Sequence, residues 1–122
     1  MTLKRHTVSV TTDGSGAATD YSEVLSGRLS QIRYVKTDFA NGSTFLITAE
    51  ATGETLWSES NVDASATRAP RQATHTVLGA AALYAGSGVA VLDHIVLAAD
   101  RVKIVVSSGG ATKTGTFYIV VE

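Results

Sequence analysis

The chain contains no cysteine, a single proline and almost no net charge, and these absences narrow what it can be. Without cysteine, disulfide bonds and cysteine-ligated zinc sites are excluded, so the core or neighbouring subunits must hold the fold together. Ten Lys and Arg are balanced by eleven Asp and Glu. With no basic excess to neutralise phosphates, the sequence predicts no nucleic-acid partner, and the cluster Lys4-Arg5-His6 is interpreted as a solvated chain end.

Long apolar segments are missing as well. The most apolar stretch, residues 77–92, is short, contains three glycines and is followed by Asp93 and His94. It is too short and too interrupted for a membrane span, so we expect no membrane partner. Lys4 and Arg5 are followed by Val8 and Val10 in alternation with Thr and Ser instead of by an apolar run, and we therefore expect no signal peptide.

The residues that are abundant are Thr, Val, Ser, Gly and Ala, and this composition favours strands over helices. Runs with alternating polarity recur about every ten residues and are separated by turn residues. We predict one domain over residues 1–122, an all-β antiparallel sandwich or jelly-roll-like fold of seven to nine strands. The predicted strands cover residues 4–12, 17–25, 28–38, 43–51, 54–60, 89–97, 101–107 and 114–121; residues 61–76 form a loop with some extended structure, and 80–83 a short helical turn.

Turn residues predict which strands pair. Asp13-Gly14 and Asn41-Gly42 are dipeptides that favour the tight turns of β-hairpins. Thr52-Gly53 and Ser108-Gly109-Gly110 separate two further pairs of runs. We therefore expect hairpins at these positions, including one around Gly53 and one formed by the last two strands.

The third predicted strand has an ambiguous pattern. Ile32 and Tyr34 lie on one face, whereas Leu29, Arg33 and Val35 lie on the other. Because neither face is purely apolar, we expect this strand to be covered on both sides or to lie in an interface.

No motif for catalysis or for cofactor binding is present. Residues 110–115 resemble a phosphate-binding loop only superficially, because Lys113 lies between the two glycines and the flanking segments are both strands. There is no Gly-x-Ser-x-Gly elbow, and His6, His75 and His94 are scattered along the chain. We predict no catalytic residue, no metal ligand and no cofactor, and hence not an enzyme.

The candidate site residues are those suited to an interface. Trp57, the only tryptophan, can be a core residue, a carbohydrate platform or an interface anchor, and the sequence leaves these alternatives open. The irregular segment around Pro70 is predicted to contact a neighbouring subunit. The apolar stretch 77–92 is expected either to be buried in the core or to be hidden in such a contact. The predicted interface residues are Trp57, Arg68, Pro70, Arg71, Leu83 and Tyr84.

Four stretches of the chain resemble small proteins of tailed bacteriophages and prophages. They are RHTVSVTTDGSG (residues 5–16), SGRLSQIRYVKTDFANGSTFLITAEATGETLW (26–57), APRQATH (69–75) and LAADRVKIVVSSGGATKTGTFYIVV (97–121). The resemblance covers almost the whole chain and implies a virion structural protein encoded among head and tail morphogenesis genes. This family has no established catalytic residues, so none are carried over.

The resemblance also sets the functional expectation. We expect a capsid decoration or cement subunit that binds the head shell and stabilises it, with a neck, connector or tail component as the alternative. A small carbohydrate-binding module is a second alternative. The expected partners are the major capsid protein or neck and tail subunits, together with copies of the chain itself. We expect the protein to be made in the bacterial host cytoplasm and to reside in the virion.

Overall fold

The computed structural model describes residues 3–75, 77–80 and 91–122, and in these ranges the chain is built from β-strands without a helix. The all-β prediction is therefore confirmed. None of the described residues forms a helix that is long and apolar enough to cross a membrane. Ten strands are described: β1 (Lys4–Thr11), β2 (Ala18–Tyr21), β3 (Leu25–Lys36), β4 (Ser43–Ala49), β5 (Thr55–Val62), β6 (Ala66–Arg68), β7 (Arg71–Ala73), β8 (Leu92–Asp100), β9 (Val102–Ser107) and β10 (Thr114–Val121).

The described strands form two antiparallel sheets with jelly-roll connectivity. The first sheet has the order β1-β10-β3-β8-β7, with β6 beside the second half of β3, and the second sheet has the order β2-β9-β4-β5. The first strand thus pairs with the last, β2 with β9, β3 with β8, and β4 with β5. Strands β1–β5 and β8–β10 thus form one long hairpin that is rolled into two layers. This arrangement confirms the predicted sandwich and identifies it as a jelly roll.

The connectivity contradicts most of the predicted hairpins. The hairpin around Gly53 forms, because β4 and β5 are neighbours. In contrast, β1 and β2, β3 and β4, and β9 and β10 lie in opposite sheets, so the hairpins predicted at Asp13-Gly14, at Asn41-Gly42 and between the last two strands are wrong. At these three turns the chain reverses, but the next strand lies in the other sheet, and the apolar faces of the two strands cover each other across the core.

Two short strands account for the difference between the predicted seven to nine strands and the ten that are described. β6 and β7 each have three residues and fall in residues 61–76, which were expected to be mostly loop. β6 pairs with Ile32, Arg33 and Tyr34 of β3, and β7 pairs with the start of β8. The helical turn predicted at 80–83 lies outside the described residues except for its first position.

The core between the sheets is centred on aromatic side chains. The ring of Tyr34 lies 4.7 Å from that of Phe45 and 5.2 Å from that of Phe117. Phe45 and Phe117 belong to different sheets, and their rings meet edge to face at 5.1 Å. Such pairs contribute about 0.5–1.5 kcal/mol beyond the burial of their area.

A β-bulge in β3 resolves the ambiguous pattern of that strand. Val120 of β10 pairs with Gln31, and its neighbour Val121 pairs with Leu29, so β3 has one extra residue at this point. The bulge turns Leu29 to the same side as Ile32, and both are fully buried. The prediction that they lie on opposite faces was wrong, and Arg33 is left on the outer face of the sheet.

The loops that cross between the sheets are tied together at one end of the sandwich. Thr12 Oγ1 donates to the carbonyl of Gly110 at 2.6 Å and accepts from the amide of Lys113 at 2.8 Å. The amide of Thr114 donates to Asp38 Oδ1 at 2.6 Å, and this bond lowers the pKa of Asp38. These contacts stabilise the crossings that replace the expected hairpins.

Tyr34→Phe tests a buried hydroxyl that has no hydrogen-bond partner among the described residues. Burial, with a smaller contribution from Asp38, raises the pKa of Tyr34 to about 12. The native state thus keeps a proton that the unfolded chain releases from about pH 10 upwards, so this tyrosine makes stability fall between pH 10 and 12.

We expect Tyr34→Phe to be at least as stable as the wild type at pH 7, because no hydrogen bond is lost. We also expect the variant to lose less stability between pH 10 and 12. Urea unfolding of both proteins at pH 7, 10 and 11.5 measures the difference. A variant less stable by more than about 1 kcal/mol at pH 7 would mean that the hydroxyl has a partner.

Candidate functional site

The candidate site is a groove on the outer face of the first sheet, where β1, β10 and β3 lie side by side. Cross-strand pairing places its side chains in two rows, one of Arg5, Val120 and Gln31, and one in which Tyr118 pairs with Arg33. The groove has a volume of about 320 Å³. We call it the Arg5–Arg33 groove; its lining residues are Arg5, Gln31, Arg33, Val35, Tyr118 and Val120.

The groove carries two positive charges that the fold does not neutralise. The guanidinium of Arg5 lies over the ring of Tyr118, at 5.2 Å from its centre. Arg33 is exposed on the other side of Tyr118. Within the described residues, neither arginine has a carboxylate within salt-bridge distance. The walls are therefore cationic, and no acidic residue lines them.

Two other arginine–aromatic pairs in the described part of the chain differ from this one. Arg68 lies 5.5 Å from the ring centre of Trp57 and also forms an ion pair with Glu59 at 2.9 Å. In the second pair, Arg101 lies 4.3 Å from the ring centre of Tyr21 and forms an ion pair with Glu50. In both cases the protein supplies a carboxylate to the arginine that stacks on the ring.

Trp57, which the sequence left between core, platform and interface, lies in the core. It is 5% exposed, and its ring packs edge-on against Phe45 at 5.5 Å. Its indole Nε1 donates to Glu59 Oε1 at 3.0 Å. Arg68 lowers the pKa of Glu59 chiefly by donating hydrogen bonds to it. The face of Trp57 is therefore not available as a carbohydrate platform.

Arg71 is engaged by the backbone of β3. Its Nη1 donates to the carbonyls of Pro70 at 2.8 Å and Ser30 at 3.0 Å. At this point β3 changes its neighbour, pairing with β8 up to Leu29 and with β6 from Ile32 onwards. The guanidinium of Arg71 thus donates a hydrogen bond to β3 between the part that pairs with β8 and the part that pairs with β6.

The other predicted interface residues are distributed over different environments. Pro70 is buried, and Arg68 is exposed but paired with Glu59. Leu83 and Tyr84 lie outside the described residues. The interface role of these residues remains a prediction.

The histidines are distributed over separate contacts. His6 Nδ1 lies 2.5 Å from Glu23 Oε1, His94 Nε2 lies 3.4 Å from Glu122 Oε1, and His75 is exposed. In the described ranges, no three His, Asp or Glu side chains gather as a possible metal site. That the chain is not an enzyme remains a prediction.

Sequence reasoning missed the Arg5–Arg33 groove. Arg5 was interpreted as part of a solvated chain end, and Arg33 as one residue of an ambiguous strand. The outward position of Arg33 follows from its alternation with the buried Ile32 and Tyr34, and its proximity to Arg5 depends on β10 lying between β1 and β3. The only sequence signal was that both arginines occupy strands in which alternate residues are apolar.

Arg71→Gln and Arg68→Gln form a matched pair for testing the role of Arg71 at the strand junction. We expect Arg71→Gln to lower the free energy of unfolding by about 1–3 kcal/mol, because backbone carbonyls lose their donor. Arg68→Gln removes an exposed ion pair, and we expect a loss of about 1 kcal/mol or less. Equal losses in urea unfolding would contradict the structural role of Arg71.

Comparisons with protein-family models, with curated proteins and with solved structures returned no match for this chain.

Proposed function

We propose that the chain is a structural protein of a bacteriophage virion that decorates the head, binding the coat shell and stabilising it. The observation that carries this proposal is the Arg5–Arg33 groove on the outer face of the first sheet. Its arginines and its tyrosine belong to the residue types that contribute most to protein–protein binding. The sequence resemblance to tailed-phage proteins supplies the biological setting.

The jelly-roll architecture is compatible with this proposal but does not by itself identify the function. Jelly rolls occur in viral capsid proteins, but also in lectins and cupins, so the fold alone does not determine the function. What the fold contributes is a two-layer block in which the outer face of the first sheet presents exposed side chains, including Arg5 and Arg33, for contact with other subunits. Such a block has no need of disulfide bonds, in keeping with the absence of cysteine.

Apolar side chains extend the docking surface beyond the groove. Val96 and Leu92 of β8 are 62% and 61% exposed. They alternate with the buried Ile95 and Leu97, so they point to the outer face of the first sheet. A face that combines exposed aliphatic side chains with arginine and tyrosine suits a protein partner.

The same surface would serve a neck or tail component, because only the partner differs. A carbohydrate-binding module is less well supported, since the residue on which that alternative depended, Trp57, is 5% exposed. We propose a position on the head. The copy number of the chain in the particle discriminates between head decoration and a neck or tail role.

Quantitative mass spectrometry of purified particles tests this proposal. We expect the chain at a copy number similar to that of the major coat protein, because a decoration subunit occupies a site repeated across the shell. A copy number of a few per cent of the coat protein would instead indicate the neck or tail. Absence from the particles would overturn a structural role.

Cosedimentation with empty coat shells is the second test. We expect saturable binding that weakens between 50 and 500 mM NaCl, because salt screens the exposed charges of the groove. Bovine serum albumin sedimented with the same shells controls for trapping. Binding that does not saturate would contradict a specific site on the shell.

A further inference from the structure

We propose that the Arg5–Arg33 groove binds the carboxylate of an Asp or Glu side chain on the partner protein. The partner's carboxylate would complete an arrangement that the chain forms internally around Trp57 and Tyr21. This inference rests on the proposed docking function and names the chemistry by which docking occurs.

The first step of the argument is the internal arrangement around Arg68. Its Nε and Nη2 donate to the two carboxylate oxygens of Glu59, at 2.9 and 3.0 Å, while the guanidinium lies over Trp57. This is the two-pronged geometry in which arginine recognises carboxylates. Beside Tyr21, Arg101 likewise lies over the ring and pairs with Glu50, through one contact from Nη2 to Oε2.

The second step is the incomplete arrangement in the groove. Arg5 stacks on Tyr118 as the other two arginines stack on their rings, but none of the described residues offers it a carboxylate. Arg33 pairs directly with Tyr118 across β10 and β3 and is also without an acidic partner among the described residues. Two arginines from the strands on either side of β10 therefore line one groove with Tyr118, and no described residue supplies the carboxylate that pairs with arginine at the other two rings.

The third step concerns the remaining lining of the groove. Gln31 and the hydroxyl of Tyr118 can donate hydrogen bonds to a carboxylate, whereas Val35 and Val120 provide an apolar floor. A partly desolvated site strengthens the interaction between opposite charges. The volume of about 320 Å³ is at the lower end of the range for ligand sites, which suits a side chain and its immediate neighbours.

The probe for this proposal is a capped Gly-Glu-Gly-Glu-Gly peptide, with the corresponding Gln peptide as its neutral control. Both are titrated into the full chain while the Nε–Hε signals of the arginines are followed by NMR. We expect the acidic peptide to shift the signals of Arg5 and Arg33 in a saturable manner, and the neutral peptide to leave them unchanged. Equal shifts with both peptides, or none with the acidic one, would overturn the proposal.

Matched variants show whether the groove itself is the site. We expect Arg5→Gln and Arg33→Gln each to weaken binding of the acidic peptide by about tenfold or more. Arg101→Gln is the control, because Arg101 also stacks on a tyrosine but is already paired with Glu50. A loss of affinity in Arg101→Gln as large as in Arg33→Gln would refute a specific role for the groove. Circular dichroism of each variant checks that it folds.

Inorganic phosphate distinguishes a carboxylate site from a general anion site. We expect phosphate to compete with the acidic peptide only at concentrations well above those of the peptide. If phosphate binds more tightly than the peptide, the groove is an anion site for another ligand and the proposal fails.

The outcome for this groove can be separated from that for the proposed function. If the chain binds coat shells but Arg5→Gln and Arg33→Gln bind them equally well, docking stands and the carboxylate proposal is wrong. If the acidic peptide binds in the groove but the chain is absent from phage particles, the carboxylate proposal stands and the virion role is wrong.

Discussion

The structure depends on the burial of one apolar face of every long strand between the two sheets. Phe117 from the first sheet and Phe45 from the second meet in the middle, with Tyr34 against both. Because the chain has no cysteine, this packing takes the place of covalent cross-links. It also explains why consecutive strands so often lie in different sheets, since each then covers the apolar face of the next.

The outer surface follows from the same constraint. To keep both Leu29 and Ile32 in the core, β3 contains an extra residue between them. Arg33 alternates with the buried Ile32 and Tyr34 and therefore lies on the outer face, paired with Tyr118. Arg71 supplies hydrogen bonds where β3 changes its neighbour. The groove is thus a consequence of how the core is filled, and its arginines are held by strands whose inner faces are fixed by packing.

The distribution of ion pairs distinguishes the Arg5–Arg33 groove from the other arginine–aromatic pairs. Around Trp57 and Tyr21 the arginine that stacks on the ring is neutralised by a glutamate of the same chain. Around Tyr118 no described residue does so. An unneutralised arginine pair in a concave, partly apolar site favours an acidic partner, and a repeated coat subunit is the partner that we propose.

The sequence by itself determined the fold class, the approximate positions of most strands and most of the residues that face the core, because the alternation of side chains along a strand is a local property with a period of two. It did not determine which strands are neighbours. The turns at Asp13-Gly14 and Asn41-Gly42 have the residues of hairpins, yet the chain crosses there to the other sheet. Only the tertiary structure decided which strands are neighbours, that Leu29 turns inward and that Arg5 and Arg33 line one groove. These features depend on how strands from distant parts of the chain cover one another's apolar faces.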